Sequence, residues 1–323
     1  MRYHIFEKLF NERLVSHKSL QRIKERIAAP RNIMLELRLI LYISILILTG
    51  GLATLVYENI HSISQIAIVI LLAVVCLLSF VYCFVKAPPF SLKHVREPNV
   101  FFGYILLLGS LSLLTLIAYL QYQYVLFGSQ FGLSVFVPMV ILLFAAYRFD
   151  HLGVLSLAIV NVCAFAGLTV APTQIIFHND WSNPAILITA TLLSVSFVLI
   201  GVLHSTRHIK PHFRNTYIHF GVHLFGLSAV SAIFNYEYKI VWVLMMCMGA
   251  LYFYRLSKKV NSYLLLLSIA IYTYIGLSIW VVLFISELYL SGLTPVYFII
   301  LYLIVSAILT GKFLMQSYKK FRI

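Results

Sequence analysis

The chain has 323 residues, of which 62% are hydrophobic and only 11% charged, where soluble domains run at roughly 45–50% and about 25%. Too few polar side chains remain to coat a water-soluble globule, so lipid is the expected solvent. A net charge of +14 in a soluble protein would suggest nucleic acid, but its placement along the chain, taken below, assigns it to a membrane surface.

Residues 1–38 carry nine Lys/Arg and four Glu. This head is too long and too mixed in charge for a signal-peptide n-region, and no small-residue cleavage site follows, so nothing is expected to be removed. Ser16 can cap a helix whose apolar positions Leu20, Ile23 and Ile27 recur every three or four residues. Pro30 stops it. The expectation is an amphipathic cytoplasmic head that packs on its own membrane domain or lies on the lipid surface.

Ten apolar segments follow within a transmembrane domain spanning 39–316, most near the roughly 20 residues a helix needs to cross about 30 Å of hydrocarbon. They are predicted near 39–57, 64–85, 101–122, 131–147, 152–171, 185–203, 220–234, 240–254, 263–285 and 295–314. The fourth, seventh and eighth are close to the short limit. Between the sixth and seventh lies the longest polar break of the domain, the basic loop 204–219, and a short basic tail, 317–323, ends the chain. With loops assigned alternately to the two faces, the side of the N-terminus holds 23 of the 24 Lys+Arg, whereas the other has Glu58, Asp180, Glu237 and Glu287 against Lys239 alone. That is the positive-inside pattern, so both termini are expected in the cytoplasm of a bacterial inner membrane, with anionic head groups meeting the basic face and no nucleic acid as partner. Trp181, Trp242 and Trp280, with Tyr119, Tyr122, Tyr124, Tyr236 and Tyr238, fall near the opposite ends of the helices, where amphipathic rings are best placed. Cys76, Cys83, Cys163 and Cys247 lie inside apolar runs without metal-like spacing and read as small core residues.

Three stretches carry a resemblance. The head Asn11-Glu-Arg-Leu14-Val15-Ser16, the first apolar segment with Gly50-Gly51 and its end Tyr57-Glu58-Asn59-Ile60, and the turn Tyr147-Arg148-Phe149-Asp150-His151-Leu152 resemble a family of predicted bacterial membrane proteins, the domain of unknown function number 2157. The resemblance covers roughly the first half of the chain. It implies a polytopic bacterial inner-membrane protein and carries no activity.

Candidate chemistry is sparse. The segmentation puts no charged residue inside the hydrocarbon, which argues against transport driven by protons or sodium through a buried carboxylate. His204, His208 and His212 lie four apart, a spacing that on one continuous helix can hold Zn²⁺. Pro211 interrupts that helix and no Cys or acid lies within the run, so no metal and no cofactor is expected. The turn Arg148, Asp150 and His151 joins an acid, a base and an imidazole. It reads either as a gating contact or as a local, exposed ion pair closing the loop, the second being favoured because such pairs are common and energetically small. Pro138 can kink the fourth segment and free a carbonyl, as in broken helices that line binding sites. Polar residues within the segments, such as Thr115, Asn161, Ser228, Thr273, Ser278 and Ser306, are expected to serve helix packing. No HExxH, GxSxG, P-loop or GxGxxG motif occurs.

The expected fold is thus an all-α, polytopic membrane protein of about ten helices with both termini inside, and no enzyme. Two functions remain open. One is a structural or accessory subunit of a membrane or envelope assembly, which would bind other membrane-protein subunits. The other is a permease or flippase for an apolar or amphipathic solute.

Overall fold

The computed structural model describes residues 65–321 apart from 96, 100, 129, 172–182 and 289–292, together with scattered residues between 40 and 54. The chain divides into two compact units, Met1–Glu58 and Asn59–Ile323. In the first, the described residues are helical, the Ser44 hydroxyl donating to the Ile40 carbonyl at 2.8 Å and the Thr54 hydroxyl to the Gly50 carbonyl at 3.1 Å. The amphipathic head and nine of the 19 residues of the first apolar segment lie outside the described residues.

The second unit is all-helical among its described residues. Its elements are α1 (Gln65–Lys86), α2 (Phe102–Tyr124), α3 (Phe131–Phe149), α4 (Leu152–Val170), α5 (Pro184–Thr206), α6 (Phe213–Asn235), α7 (Lys239–Val260), α8 (Tyr263–Glu287) and α9 (Thr294–Phe321). All nine are long and apolar enough to span a membrane, and the chain is a multi-pass membrane protein. Lipid offers the backbone no hydrogen-bond partner, so the helix is the form that satisfies every peptide group internally. The same demand explains the hydroxyls of Ser79, Ser110, Thr115 and Thr273, each donating to the carbonyl four residues back.

Helix ends depart from the expected segments. Three helices expected to be short are not: α3 has 19 residues, α6 has 23 and α7 has 22. α6 starts at Phe213 and α7 runs on to Val260, which leaves only residues 207–212 of the expected 204–219 loop outside helix. α9 extends to Phe321 and so absorbs most of the basic tail, together with Lys312. That lysine corrects the expectation of no charge within the segments. It is exposed about two and a half turns from the basic end, where its stem can carry the ammonium to the interface. The physical reason is common to all these shifts: apolar windows find the hydrocarbon-spanning part, and the helices continue past it with polar residues.

Chain alternation gathers one end of the unit from the α1–α2, α3–α4, α5–α6 and α7–α8 connections and the last turn of α9. This is the basic end. At the other, Lys239 pairs with Glu287 at 3.1 Å, and Tyr236 stacks on Trp242. The spine of the unit is the antiparallel pair α5–α6, which is the most extensive helix contact. Two glycines make it possible. A Cβ on Gly201 would stand 3.0 Å from the Arg214 carbonyl, and one on Gly221 would stand 3.0 Å from the Ser194 carbonyl, so each helix presses its backbone against the other. Thr191 and Ser228 add a hydroxyl pair at 3.1 Å across the same seam.

Helices α1 to α4 pack on one side of this spine, around Phe102, Leu106, Leu142, Ala146, Leu155 and Phe213. On the other side α7 and α8 close over Val198, Val222, Phe225 and Leu265. α9 leans on α8 alone with appreciable contact, Ser278 and Tyr302 meeting at 3.3 Å, and none of its membrane-spanning window is buried. Pro138 is buried in α3, and the helix is continuous through it. The four cysteines are free, Cys76 and Cys83 being buried.

Candidate functional site: an ionic knot at the basic end and a groove beside it

Asp150 follows the last residue of α3 and takes the left-handed conformation, φ 61°, that closes a helix C-terminus. Among L residues Asp is one of the few that tolerates it. The turn swings its carboxylate inward to 2% exposure. There Oδ1 lies 2.8 Å from Lys210 Nζ and 2.8 Å from His212 Nε2, while Oδ2 accepts the Val95 N–H at 2.7 Å and faces His94 Nδ1 at 3.3 Å. The two imidazoles meet edge to face with centroids 4.6 Å apart. Lys210 is 1% exposed, also has positive φ, 43°, and donates its own amide to the Leu92 carbonyl at 2.7 Å. Its ammonium sits 5.3 Å from the Phe90 ring and 5.8 Å from that of Phe213, within cation–π range.

The carboxylate therefore ties three connections together: residues 87–101, the turn 150–151, and residues 207–212. Arg148 adds a further tie, donating to the Pro88 carbonyl at 3.0 Å. This corrects the expected local, exposed pair, because the acid is buried and its cation comes from another connection, 60 residues away. A buried carboxylate left without a cation would cost several kcal/mol. Burial pushes the Asp150 carboxyl up, but the Lys210 ammonium, the Val95 amide and His212 outweigh that and hold it below the usual carboxylate value. For His212, burial lowers the value, Asp150 opposes, and His94 and Lys210 lower it again, leaving it below the ordinary imidazole. Its buried Nδ1 has no hydrogen-bond partner among the described residues.

His151, the third member of the predicted turn, serves elsewhere. Its Nδ1 accepts the Val154 N–H at 3.1 Å as the N-cap of α4, and burial pushes it down to about 4. The three evenly spaced histidines are likewise separated. His204 points into the bundle, its Nε2 at 2.8 Å from the Tyr147 hydroxyl, which in turn lies 2.9 Å from that of Tyr217. His208 is exposed. Only His212 joins a set with ligand geometry, and its companions are His94 and Asp150.

A second feature lies between α7, α8 and α9. A cavity of about 740 Å³, within the roughly 300–1,000 Å³ of ligand pockets, is walled by Ala250, Leu251, Leu277 and Leu309, with Thr273, Ser306 and Thr310 among its few hydroxyls. Toward the basic end it meets a hollow of about 280 Å³ that holds Lys258, Asn261, Gln316 and Lys320. The two share Tyr254, Leu266 and Phe313 as wall. The result is an apolar shaft with a cationic mouth. Pro138 is not part of this groove. Thr273 and Ser306, expected to serve helix packing, line this gap instead; nothing in local pattern marks a gap that depends on how loosely α9 leans on its neighbours.

No curated protein and no solved structure matches the chain. The part of the chain that carries the resemblance, including Asp150 but neither Lys210 nor the groove, does find a counterpart: residues 7–155 match the family described as predicted membrane protein DUF2157.

Proposed function

We propose that this protein resides in a bacterial inner membrane with its basic end in the cytoplasm, and that it binds and moves an amphipathic solute as a non-enzymatic permease or flippase. The groove between α7, α8 and α9 carries this reading. Its apolar shaft suits a hydrocarbon chain, and Lys258 and Lys320 at its mouth suit an anionic head group. The ionic knot fits the same picture as a fixed base for α3 to α6, since its charges neutralise one another and leave no free acid for ion coupling.

The test uses the full chain in nanodiscs of phosphatidylcholine doped with phosphatidylglycerol. Native mass spectrometry is expected to find phosphatidylglycerol retained. At about 1 kcal/mol per surface lysine, the double variant Lys258→Gln/Lys320→Gln is expected to bind it about 30-fold less well. Thr310→Trp, which fills the shaft, is expected to abolish both retention and the movement of labelled phosphatidylglycerol across proteoliposomes. Wild-type retention no greater than that of the filled variant would sink the reading.

One observation favours a second reading, an accessory subunit of a membrane assembly. α9 presents an almost wholly unburied apolar surface, with Leu301 59% and Ile308 54% exposed, as a helix awaiting a neighbour would. Photo-crosslinkers at these two positions, used in native membranes, would then capture one protein partner in stoichiometric yield instead of lipid.

A further inference from the structure

We infer that His94, Asp150 and His212 form a site for one divalent transition-metal cation, which staples the 87–101 connection to the α3–α4 turn and the α5–α6 connection. The donor atoms lie within 4.8 Å of one another, with His212 Nε2 at 2.8 Å and His94 Nδ1 at 3.3 Å from the carboxylate oxygens. Ligands at about 2.0–2.2 Å around a tetrahedral Zn²⁺ stand roughly 3.3–3.5 Å apart. His94 already stands at that spacing from the carboxylate, and His212 has to withdraw from it by about half an ångström.

The carboxylate is already dressed for the role. It has about four lone-pair sites; the Lys210 ammonium and the Val95 amide take two and hold it oriented and ionised, as outer-shell donors do around metal ligands. The two sites that remain are those the imidazoles face. A cation entering there takes the lone pair of each neutral imidazole at the nitrogen facing the carboxylate, and the proton that nitrogen carried passes to the other nitrogen of the same ring, so the exchange needs no proton acceptor beyond the imidazoles. The positive Lys210 on the same carboxylate opposes the incoming charge, which limits affinity and makes the site one that fills and empties. His212 Nδ1 is unpartnered whether or not a metal binds, so it does not decide between the states. Two imidazoles and one carboxylate favour Zn²⁺ and its neighbours in the first transition row over Mg²⁺ or Ca²⁺. The fourth position falls to water, because His94 stands at the surface with its side chain 63% exposed.

The experiment takes the full chain in detergent, strips it with EDTA, and titrates Zn²⁺ by calorimetry, with bound zinc counted after desalting. His94→Gln is the decisive variant, since so exposed a side chain can be changed without unfolding the protein. The wild type is expected to hold one zinc that Mg²⁺ does not displace, and His94→Gln to bind it at least about tenfold more weakly. His208→Gln, an exposed imidazole nearby but outside the cluster, is expected to leave affinity unchanged. Absence of a stoichiometric site in the stripped wild type, or equal affinity in His94→Gln, would overturn the assignment.

Discussion

Lys210 Nζ lies 2.8 Å from Asp150 Oδ1 with both side chains almost fully buried, and both residues hold left-handed backbone, at φ 43° and 61°. Such conformations cost about 1–3 kcal/mol each and persist where surroundings over-determine them. Here the ion pair does so, together with the hydrogen bonds that the Lys210 amide donates to the Leu92 carbonyl and the Val95 amide donates to the Asp150 carboxylate. Lys210→Met is therefore expected to destabilise the protein by roughly 3–5 kcal/mol, the cost of stranding a buried charge. Adding Asp150→Asn should cost much less than a second such loss. Thermal unfolding of the two single variants and the double, in one detergent, gives the coupling; strict additivity would show that the pair does not hold the fold.

Acid should loosen the basic end before carboxylates titrate. His151 is buried and pushed down to about 4, against about 6.5 in an unfolded chain. Between those values the unfolded state binds a proton the folded state refuses, so stability is complete above pH 6.5 and falls as pH drops toward 4. At about 1.4 kcal/mol per pH unit the loss is about 3 kcal/mol. His212, also depressed, acts in the same direction. The lowered Asp150 adds its share only at lower pH, its contribution being present above the unfolded carboxylate value and lost beneath it. Melting curves from pH 7.5 to 4 should show this slope, and His151→Gln should start lower, having lost the α4 cap, yet vary less with pH. An unchanged slope in that variant would remove His151 as its source.

The α5–α6 seam predicts unequal results for chemically identical substitutions. Gly221→Ala places a methyl 2.8 Å from Val198 and 3.0 Å from the Ser194 carbonyl, and overpacking of this kind costs about 1–3 kcal/mol. Gly311→Ala, on α9, meets nothing within 4 Å and should leave the melting temperature unchanged within error. Equal effects at the two positions would mean that the seam can open without penalty.

Orientation is open to chemical labelling. In a variant lacking Cys76, Cys83, Cys163 and Cys247, a cysteine at exposed Tyr238 should react with a membrane-impermeant maleimide in intact spheroplasts. One at exposed His208 should react only after the membrane is breached. Position 210, on the same connection, is a poor reporter because it is buried. The reverse pattern would place the basic end outside.

Hydrophobic runs carried most of the fold: eight connections and the type of every described helix follow from where apolar stretches start and stop. Their ends did not follow, because Phe213 to His219 and Arg255 to Val260 continue their helices as polar turns beyond the hydrocarbon. Of the knot, Asp150 and His212 were legible one at a time, as members of two unusual local clusters. Their meeting was not, since the two residues lie 62 positions apart and on different connections. Lys210 gave no local sign at all, for a lysine in a basic connection is ordinarily solvated, and only the tertiary fold shows that this one is not. His94 was hidden for the same reason: its partners lie more than fifty residues away.

The distance in sequence between the knot's two charges also has a consequence for biogenesis. Asp150 leaves the ribosome 60 residues before Lys210, a gap of about 3–12 s at roughly 5–20 residues per second. Throughout that interval α3 is already made, and α4 follows it, while the turn between them holds an uncompensated anion, which must stay in water or against a chaperone. Only when the α5–α6 hairpin is in place does the ammonium arrive, so the early half of the bundle has to wait for the later half before its basic end can close.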